Sequence, residues 1–378
     1  MVWRETSVVD ERREFCLLAN LEGANVAALC LRFGISRQTG YVWLRRHLAG
    51  ASLEDLSRRP RHSPRRSPAE LEAAILGARD EHPAWGARKI ARRLEDTGTR
   101  APAVSTVHQV LARHGRIGPE ALERQAHGRF EREAPNLLWQ MDFKGRIRLA
   151  CGTWCHTLTV VDDHSRYAVA LEACADERGI TVRQRLEQAL RRHGLPLAVY
   201  VDNGRPWGAG APGEWTKFRV WLLKLGIETI HARPYHPQGR GKNERFHRSL
   251  KAEVFALNPI IGLERAQKAL DRWREIYNHQ RPHQGIGMTV PANRYRPSPR
   301  AFPNLLPEPQ YDESEITRRV SSTKGYVRFQ GRSWRVPDAF CGETLAIRPR
   351  STDGQYGIFF GATQVGSIDL TQNQNPPP

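Results

Sequence analysis

In the first fifty residues, apolar side chains recur among polar ones with the spacing of α-helices. Apolar side chains recur three and four residues apart over 7–20 and over 26–33, and a glycine-containing interruption at 34–36 follows. Glycine favours the end of one helix, and Ser36 can cap a basic helix over 37–46. A helix, a short turn and a second helix with polar residues at its start form the helix-turn-helix pattern, although a plain helical hairpin fits the same spacing.

A similar pattern recurs after an extended stretch rich in arginine, proline and serine. Helical spacing resumes over 69–81, a second helix is expected from 85, and a third is predicted over 106–114 with Ser105 as its cap. The basic helix of the first unit would enter the major groove, and two such units in tandem predict a longer DNA site, with the basic stretch along the backbone or in the minor groove. The expected DNA contacts of this helical head are Arg37, Gln38, Thr39, Arg45, Arg46, Arg58, Arg59, Arg61, Ser105 and Thr106.

Short strands and helices share the middle of the chain. Three strand-like runs with tight links, at 137–143, 157–162 and 167–171, predict an antiparallel meander. Beyond them, helices are expected over 182–193, 215–225, 241–255 and 263–277, and strands over 197–201 and 228–231. This order is typical of an α/β layer fold.

The last eighty residues change character again. Proline is frequent over 297–309, and short strand-like runs then alternate with turns at Gln330-Gly331 and Asp353-Gly354, which predicts a small β-barrel. In order, the predicted regions are a first helix-turn-helix unit (1–56), an arginine- and proline-rich linker (57–68), a second helix-turn-helix unit (69–116), a linker (117–135), an α/β core (136–296), a linker (297–311), a small β-barrel (312–370) and a disordered tail (371–378).

Composition adds a class of partner to this picture. The formal net charge is +18 and the pI is near 10.2, so a polyanionic partner is expected, and the arginine clusters suit phosphate. Charge alone leaves open a nucleic-acid enzyme, a ribosomal type of protein and a solvated basic surface. No apolar run reaches the length of a membrane span, and the N-terminus has no hydrophobic signal core, which favours a cytoplasmic location.

The six cysteines form no C-x-x-C pair. Cys151, Cys155 and His156 lie close together, but no second ligand pair follows at zinc spacing, and a finger-type site needs four ligands. We therefore expect reduced thiols that mostly fill hydrophobic cores, as in a reducing compartment.

Three acidic residues occupy positions that suit chemistry. Asp142 interrupts an apolar strand, Asp202 directly follows another and precedes a turn, and Glu244 lies near the start of a helix. Asp202 could serve only as a turn residue, and Glu244 could serve only as an acid favoured by the helix dipole. Asp142 is harder to explain in this way, because an acid within a strand needs a partner or a metal ion.

The neighbours of these acids form five motifs in a fixed order. The motifs are Trp139-Gln140-Met141-Asp142, Val161-Asp162-Asp163-His164-Ser165-Arg166-Tyr167, Val201-Asp202-Asn203-Gly204, the stretch from His236 to Lys251, and Tyr277-Asn278-His279-Gln280-Arg281-Pro282-His283 followed by Pro291. Together they resemble DDE transposases and retroviral-type integrases, most closely the bacterial insertion-sequence transposases with an integrase-type core. The resemblance is strong over about 136–296 and weaker in the head and tail.

The resemblance implies a ribonuclease-H-like core in which Asp142, Asp202 and Glu244 are catalytic and hold divalent metal, two Mg²⁺ ions with Mn²⁺ as a substitute. Two cations about 4 Å apart activate the attacking oxygen and stabilise the leaving oxygen in phosphodiester transfer. Arg248 and Lys251 share a helix face with Glu244 and would hold the phosphates of a DNA end. The expected DNA contacts beside the carboxylates are Asn203, Gln238, Lys242, Arg248 and Lys251.

Two departures from the family pattern are visible. Forty-one residues separate Asp202 from Glu244, against the thirty-five of the wider family, and the loop-like stretch over 206–213 accounts for the extra length. The His-His-Cys-Cys zinc module of retroviral integrases is missing, and the helical head would take its place.

These observations predict a DNA transposase that binds the terminal repeats of a mobile element and catalyses metal-dependent strand cleavage and strand transfer. Its partners would be double-stranded DNA, as terminal inverted repeats and target, and further copies of itself in a homo-oligomer. One alternative is a catalytically inactive or repurposed sequence-specific DNA-binding regulator, in which the head is the functional part. Another is a ribonuclease-H-like nuclease that cuts without joining.

Overall fold

The computed structural model describes residues 7–56, 66–117, 131–204, 206–208, 214–232, 241–257 and 259–371. The chain divides into two compact units, Met1–Ser67 and Pro68–Pro378. Within the described ranges, no helix has both the length and the apolar character needed to cross a membrane. The predicted DNA contacts that lie outside the described residues are Arg58, Arg59, Arg61 and Gln238.

Side chains cap all three helices in the described part of the first unit. The helices are α1 (Val8–Ala19), α2 (Val26–Arg32) and α3 (Arg37–Leu48). Ser7 and Asp10 form a reciprocal capping box on α1, and the Ser36 hydroxyl accepts a hydrogen bond from the Thr39 amide at 3.1 Å. The predicted cap at Ser36 is confirmed, and it satisfies an amide that the first helical turn leaves without a partner.

The close approach of α1 and α3 depends on a glycine. Gly40 in α3 is buried, and a β-carbon placed there would lie 2.6 Å from the Cys30 sulfur and 2.9 Å from the Phe15 ring. Phe15 and Cys30 are themselves buried in the core of this unit. A larger side chain at position 40 would therefore force the helices apart.

The predicted DNA contacts of α3 lie at the surface of the unit. Arg37, Gln38, Thr39 and Arg45 are exposed, and Arg46 is half-buried. The start of α3 is therefore accessible to a ligand, and its contact with DNA stays a prediction.

The second unit begins with another group of three helices. These are α4 (Ala69–Glu81), α5 (Ala87–Asp96) and α6 (Val104–Arg113), packed around a core that includes Ile75, Trp85, Ile90, Val107 and Leu111. The predicted cap at Ser105 is wrong, because Ala103 is the N-cap residue and α6 begins at Val104. Ser105 instead lies exposed within the first helical turn, beside the half-buried Thr106, and contact of either with DNA stays a prediction.

A five-stranded mixed sheet forms the centre of the second unit. Its strands are β1 (Trp139–Arg148), β2 (Trp154–Asp162), β3 (Ala168–Cys174), β4 (Ala198–Val201) and β5 (Glu228–His231), in the spatial order β3-β2-β1-β4-β5. β1, β2 and β3 pair antiparallel, whereas β4 runs parallel to β1 and β5 parallel to β4. The predicted meander and α/β arrangement are confirmed.

Helices cover both faces of this sheet. One face carries α7 (Gly179–His193) and α8 (Lys217–Lys224), and the other carries α9 (Gly241–Leu250) and α10 (Gly262–His279). Trp139 and Met141 of β1 join the core on the α7 and α8 side. Because successive strand side chains point to opposite faces, Gln140 and Asp142 point toward α9 and α10.

The proline-rich segment predicted as a linker, 297–311, packs on the core. The Arg300 guanidinium donates hydrogen bonds to the carbonyls of Pro196 at 2.7 Å and Leu225 at 2.9 Å. Phe302 packs against the hydrophobic core on the α7 and α8 side. Composition predicts a segment without regular structure, but it does not reveal that such a segment is held by long-range contacts.

The tail is all-β, as predicted. Its strands are β6 (Ile316–Arg319), β7 (Tyr326–Phe329), β8 (Arg332–Arg335), β9 (Thr344–Pro349), β10 (Gln355–Phe360) and β11 (Thr363–Asp369). Four of them form a sheet in the order β11-β10-β9-β6, and β7 and β8 form a hairpin that shares the same hydrophobic core. The sequence pattern did not predict β6 or β11.

The tail is attached to the outer side of α8. Val220 of α8 belongs to the hydrophobic core of the tail, and the rings of Trp215 and Phe340 are 5.1 Å apart. The Lys224 ammonium lies 2.8 Å from the Glu343 carboxylate, and its side chain is only 8% exposed. The core and the tail therefore share one apolar interface that also holds a shielded ion pair.

Gly40→Ala tests the helix contact in the first unit. The added methyl group overlaps the Cys30 sulfur, so we expect the free energy of unfolding of this unit to fall by about 1–3 kcal/mol, the usual cost of overpacking. Amide hydrogen exchange in α1 and α3 measures the change. Gly77→Ala in α4 is the control, because a β-carbon placed there would meet no other part of the fold within 4 Å, and it should stabilise α4 by about 0.5–1 kcal/mol. Unchanged exchange rates in Gly40→Ala would contradict the close packing.

Candidate active site

Strand register places two of the three predicted catalytic acids at the same level. β1 and β4 are parallel neighbours, with Gln140 opposite Tyr200. Two residues further along each chain segment, the same register brings Asp142 level with Asp202, which directly follows β4. Neighbouring strands lie about 4.8 Å apart, so this register, continued past its last paired residues, makes Asp142 and Asp202 neighbours.

Both aspartates belong to the same side of the sheet. Val199 and Val201 of β4 lie in the core on the α7 and α8 side, as Met141 of β1 does. Side-chain alternation therefore directs Asp142 and Asp202 to the α9 side, where both are half-buried. Two neighbouring half-buried carboxylates need hydrogen-bond donors or cations to offset their desolvation and mutual repulsion.

The turn that carries Asp202 is held by its neighbours. The Asp202 carbonyl oxygen lies 3.1 Å from His231 Nδ1, and the side-chain amide nitrogen of Asn203 donates to the Ala232 carbonyl at 2.8 Å. A β-carbon on Gly204 would lie 3.3 Å from a carboxylate oxygen of Asp202, so little spare room surrounds this group. Asn203 thus ties the turn to the end of β5, and its contact with DNA stays a prediction.

Glu244, the third predicted acid, lies in the first turn of α9 and is exposed. Phe246 and Leu250 hold this helix in the core that it shares with α10. A carboxylate at this end of a helix is favoured by the helix dipole. The residues that precede the helix, 233–240, lie outside the described part of the chain, and the predicted loop with Gln238 is among them.

An ion pair ties the start of α9 to the end of β2. The Lys242 ammonium lies 2.5 Å from the Asp163 carboxylate, whose side chain is fully buried, and the Gln140 amide donates to the same carboxylate at 2.6 Å. Burial lowers the pKa of Lys242 and outweighs the attraction of Asp163, which acts in the opposite direction. Lys242 therefore has a partner inside the fold, and its predicted contact with DNA stays a prediction.

A second polar contact ties α9 to β2 one helical turn beyond Glu244. Thr159 is opposite Asp142 in the β1–β2 ladder, and its hydroxyl donates to the Asp142 carbonyl at 2.9 Å. His247 Nε2 lies 2.9 Å from the same hydroxyl oxygen. Burial lowers the pKa of His247 to about 4, with the charge of Lys144 as the second cause, so the ring is neutral near pH 7.

Basic side chains border the carboxylates. Arg248 and Lys251 are exposed, the first on α9 and the second at the start of the π-helical turn Lys251–Phe255 that continues α9. Burial lowers the pKa of Lys144, and the positive charge of Lys251 is the second cause. Lys144 is a candidate phosphate contact that the sequence analysis missed, although its position two residues after Asp142 could have indicated it.

Carboxylates supply oxygen ligands, which magnesium and other hard divalent cations prefer. Asp142 and Asp202 fit this role by register and by face. Among the described residues, however, no three histidine, cysteine, aspartate or glutamate side chains are grouped closely enough to hold a metal ion. A three-carboxylate site therefore requires a rearrangement, for which the exposed Glu244 side chain has room.

The motif at 277–283 serves the structure that supports the site. The Asn278 side chain accepts a hydrogen bond from the Ala168 amide at 2.8 Å and donates to its carbonyl at 3.1 Å, so α10 is fixed to β3. Arg281 and Glu253 form an ion pair of 2.9 Å with side chains only 7% and 9% exposed. Because Glu253 lies in the turn that continues α9, this pair fixes the far end of the helix that carries Glu244.

Comparison with protein families assigns domains along the chain. One integrase core domain model matches 132–237 and a second matches 225–291, so the two together include all three candidate acids. The C-terminal domain of IS481 family transposases matches 315–376. A helix-turn-helix domain matches 11–61 and a homeodomain-like domain matches 39–111.

Curated relatives come from bacterial insertion elements. The insertion element IS407 uncharacterized 31.7 kDa protein of Burkholderia multivorans is 29% identical over 251 residues, which are 62% of this chain and 86% of the relative. The insertion element IS476 uncharacterized 39.2 kDa protein of Xanthomonas euvesicatoria is 33% identical over 158 residues. That second alignment covers 42% of this chain and 44% of the relative, so the chain spans less than half of its length.

Solved structures give distant likenesses. A chain of the simian T-cell lymphotropic virus intasome in complex with PP2A regulatory subunit B56 gamma aligns over 80% of this chain and 99% of its own, with 19% identity and a TM-score of 0.38. The HTLV-2 integrase catalytic core domain in complex with magnesium aligns over 43% and 97%, with 17% identity and a TM-score of 0.33.

The family matches confirm the resemblance that the motifs carry. The chain has an integrase core with helix-turn-helix domains ahead of it. Its C-terminal residues match the C-terminal domain of the IS481 family transposases, and the bacterial relatives that it resembles are insertion-element proteins.

Glu253→Gln tests the support behind α9. The amide leaves the Arg281 charge buried without its counter-ion, so we expect the second unit to lose about 3 kcal/mol of unfolding free energy, in line with other buried pairs. Urea unfolding followed by tryptophan fluorescence measures the loss. Glu264→Gln is the control, because the Glu264–Lys268 pair has side chains 82% and 74% exposed and should contribute little. Equal effects of the two variants would argue against a structural role for the buried pair.

Proposed function

We propose that this protein is a transposase that binds the terminal repeats of a mobile element and catalyses divalent-metal-dependent cleavage and transfer of DNA strands. The observation that carries the proposal is the β1–β4 register, which, continued by two residues, brings Asp142 level with Asp202 directly after β4. Glu244 lies on α9, which covers one face of this sheet. The family models and the insertion-element relatives support the same reading.

Asp142, Asp202 and Glu244 would hold the metal, two Mg²⁺ ions for which Mn²⁺ can substitute. When bound, such ions polarise the scissile phosphate and activate the attacking oxygen. The fold contributes positioning, because Asp142 lies in β1 and Asp202 directly follows β4, whereas the exposed Glu244 side chain can reorient. Carboxylates alone would repel a DNA end, so the nearby basic groups offset their charge for the incoming phosphates.

Basic residues on the α9 side would hold the DNA end. Arg248 and Lys251 follow Glu244 by four and seven residues and are both exposed. Lys144 lies on β1, where the charge of Lys251 helps to lower its pKa, and it adds a third positive charge. Phosphate contacts of this kind fix position without reading sequence, so they suit the binding of any DNA end near the carboxylates.

Sequence recognition would fall to the helical head. The polar start of α3 is exposed, and helices of this type place their first turn against base edges in the major groove. The partners would be double-stranded DNA, as terminal inverted repeats and as target, and further copies of this chain that bring two ends together. The expected place of action is the bacterial cytoplasm, at the nucleoid.

A second candidate function is sequence-specific DNA binding without catalysis, as in a regulator. The observation that favours it is the lack of a closely grouped set of three metal-binding side chains among the described residues. The presence of all three acids at the positions of the family motifs favours the transposase.

Strand joining by oligonucleotides tests the transposase. The substrate is the terminal repeat read from the DNA that flanks the gene, with Mg²⁺ or Mn²⁺ and with EDTA. We expect joined products that disappear with EDTA and fall about 10³-fold in Asp142→Asn, Asp202→Asn and Glu244→Gln, since metal-assisted stabilisation is worth several kcal/mol. Glu275→Gln, at an exposed position of α10, is the matched control and should join normally.

Each alternative gives a distinct result in this assay. Joining that survives EDTA or Asp202→Asn would show that the three acids are not the catalytic set. Specific binding without cleavage in any metal would support the regulator. Cleavage without joined product would support a nuclease.

Two substitutions in α3 separate base reading from phosphate binding. Gln38→Ala should weaken binding to the terminal repeat by about 1–3 kcal/mol and leave a scrambled duplex unaffected, as expected for loss of a base contact. Arg45→Ala should weaken both duplexes and lower the salt dependence by about one phosphate contact. Fluorescence anisotropy at several salt concentrations measures both effects. If Gln38→Ala weakens both duplexes equally, Gln38 does not read a base.

A further inference from the structure

We propose that Thr159 and His247 are positioning residues, which hold the helix of the third carboxylate in a fixed place on the strand of the first. The inference rests on the function proposed above and adds a role for two residues outside the carboxylate set. The Thr159 side chain is fully buried and connects α9 to β1 through hydrogen bonds.

The direction of the hydrogen bonds follows from the chemistry of a hydroxyl group. The Thr159 hydroxyl has one proton, which it donates to the Asp142 carbonyl at 2.9 Å. Its oxygen can then only accept, so His247 Nε2, at 2.9 Å, carries a proton and donates it. The resulting chain of two hydrogen bonds runs from α9 through β2 to Asp142 itself.

A second contact anchors α9 to β2 on the other side of Glu244. Lys242 is paired with the buried Asp163, so α9 is anchored to β2 two residues before Glu244 and again three residues after it. Two anchors on either side of Glu244 fix both the height of the helix along β2 and its rotation about its own axis. What remains free is rotation about the bonds of the exposed Glu244 side chain.

Apolar packing alone would not fix the helix in this way. Phe246 and Leu250 bury the inner side of α9, but hydrophobic contacts are non-directional and tolerate small slides and rotations. Hydrogen bonds require a particular distance and angle. Loss of the Thr159–His247 contact should therefore leave α9 folded and packed, while Glu244 becomes less well placed to share a cation with Asp142 and Asp202.

The test compares isosteric and conservative variants in the full chain. Thr159→Val and His247→Leu remove the contact, whereas Thr159→Ser keeps the hydroxyl and His247→Gln keeps an N–H donor. The primary readout is Mn²⁺ binding to the protein without DNA, which is measured from the electron paramagnetic resonance signal of free Mn²⁺. The second is the Mn²⁺ concentration that gives half-maximal strand joining. Thermal unfolding and duplex binding in EDTA report on the fold.

We expect Thr159→Val and His247→Leu to weaken Mn²⁺ binding and to raise the half-maximal Mn²⁺ concentration about tenfold, as seen when partners of metal ligands are removed. Duplex binding in EDTA should stay unchanged. Thr159→Ser and His247→Gln should restore most of the Mn²⁺ affinity. The double variant Thr159→Val/His247→Leu should be no worse than the poorer single variant, because both remove the same contact.

Parental Mn²⁺ affinity in Thr159→Val and His247→Leu would overturn the inference. An equal loss in Thr159→Ser and Thr159→Val would also overturn it, because the hydroxyl would then not matter. If Thr159→Val does not fold, the His247 pair decides the question. A parent chain that binds Mn²⁺ but does not join DNA would refute the proposed function. The Mn²⁺ affinities of the Thr159 and His247 variants would then still decide whether their contact positions Glu244. A parent that binds no Mn²⁺ would refute both.

Discussion

The alternation of side chains along two paired strands is the constraint on which the candidate site depends. Met141 and Val201 are buried on the α7 and α8 side, and their neighbours Asp142 and Asp202 consequently face the other way. A slip of β1 by one residue would bury the carboxylate among apolar side chains and expose the core residues, so it would cost free energy on both faces. The burial of apolar side chains thus also sets where the two carboxylates meet.

The third carboxylate is placed by a different kind of force. Glu244 belongs to a helix, and a helix packed on a sheet by apolar contacts can slide or rotate by small amounts without a large change in buried area. Polar contacts with β2, at Lys242 and His247, restrict that freedom, and the Arg281–Glu253 pair fixes the continuation of the helix. The core supplies most of the stability here, and the buried polar contacts supply the orientation.

Local sequence patterns predicted most of the fold and the identity of the candidate acids, because strands, helix caps and motifs are each encoded within a few neighbouring residues. The apolar runs of β1 and β4, the cap at Ser36 and the motif around Glu244 are of this kind. The contacts that the sequence did not reveal join distant segments: Thr159 and His247 are 88 residues apart, and Arg300 reaches a carbonyl 104 residues away. Ser105 shows that a local pattern can also mislead. Serine is a common capping residue, but here the non-helical backbone at Ala103 makes that residue the cap, and Ser105 lies inside α6.

Charge accounts for a candidate site that would combine two acids at the sheet with a third, exposed acid on a helix. Three carboxylates held rigidly together would repel one another, and the repulsion would destabilise the fold. The sheet fixes only Asp142 and Asp202, and the exposed Glu244 can approach when positive charge compensates it. The charge of Lys251 contributes to lowering the pKa of Lys144, and DNA phosphate would offset this repulsion between like charges. The carboxylates therefore favour cations and the lysines favour phosphate, and these are the two components that phosphodiester transfer has to bring together.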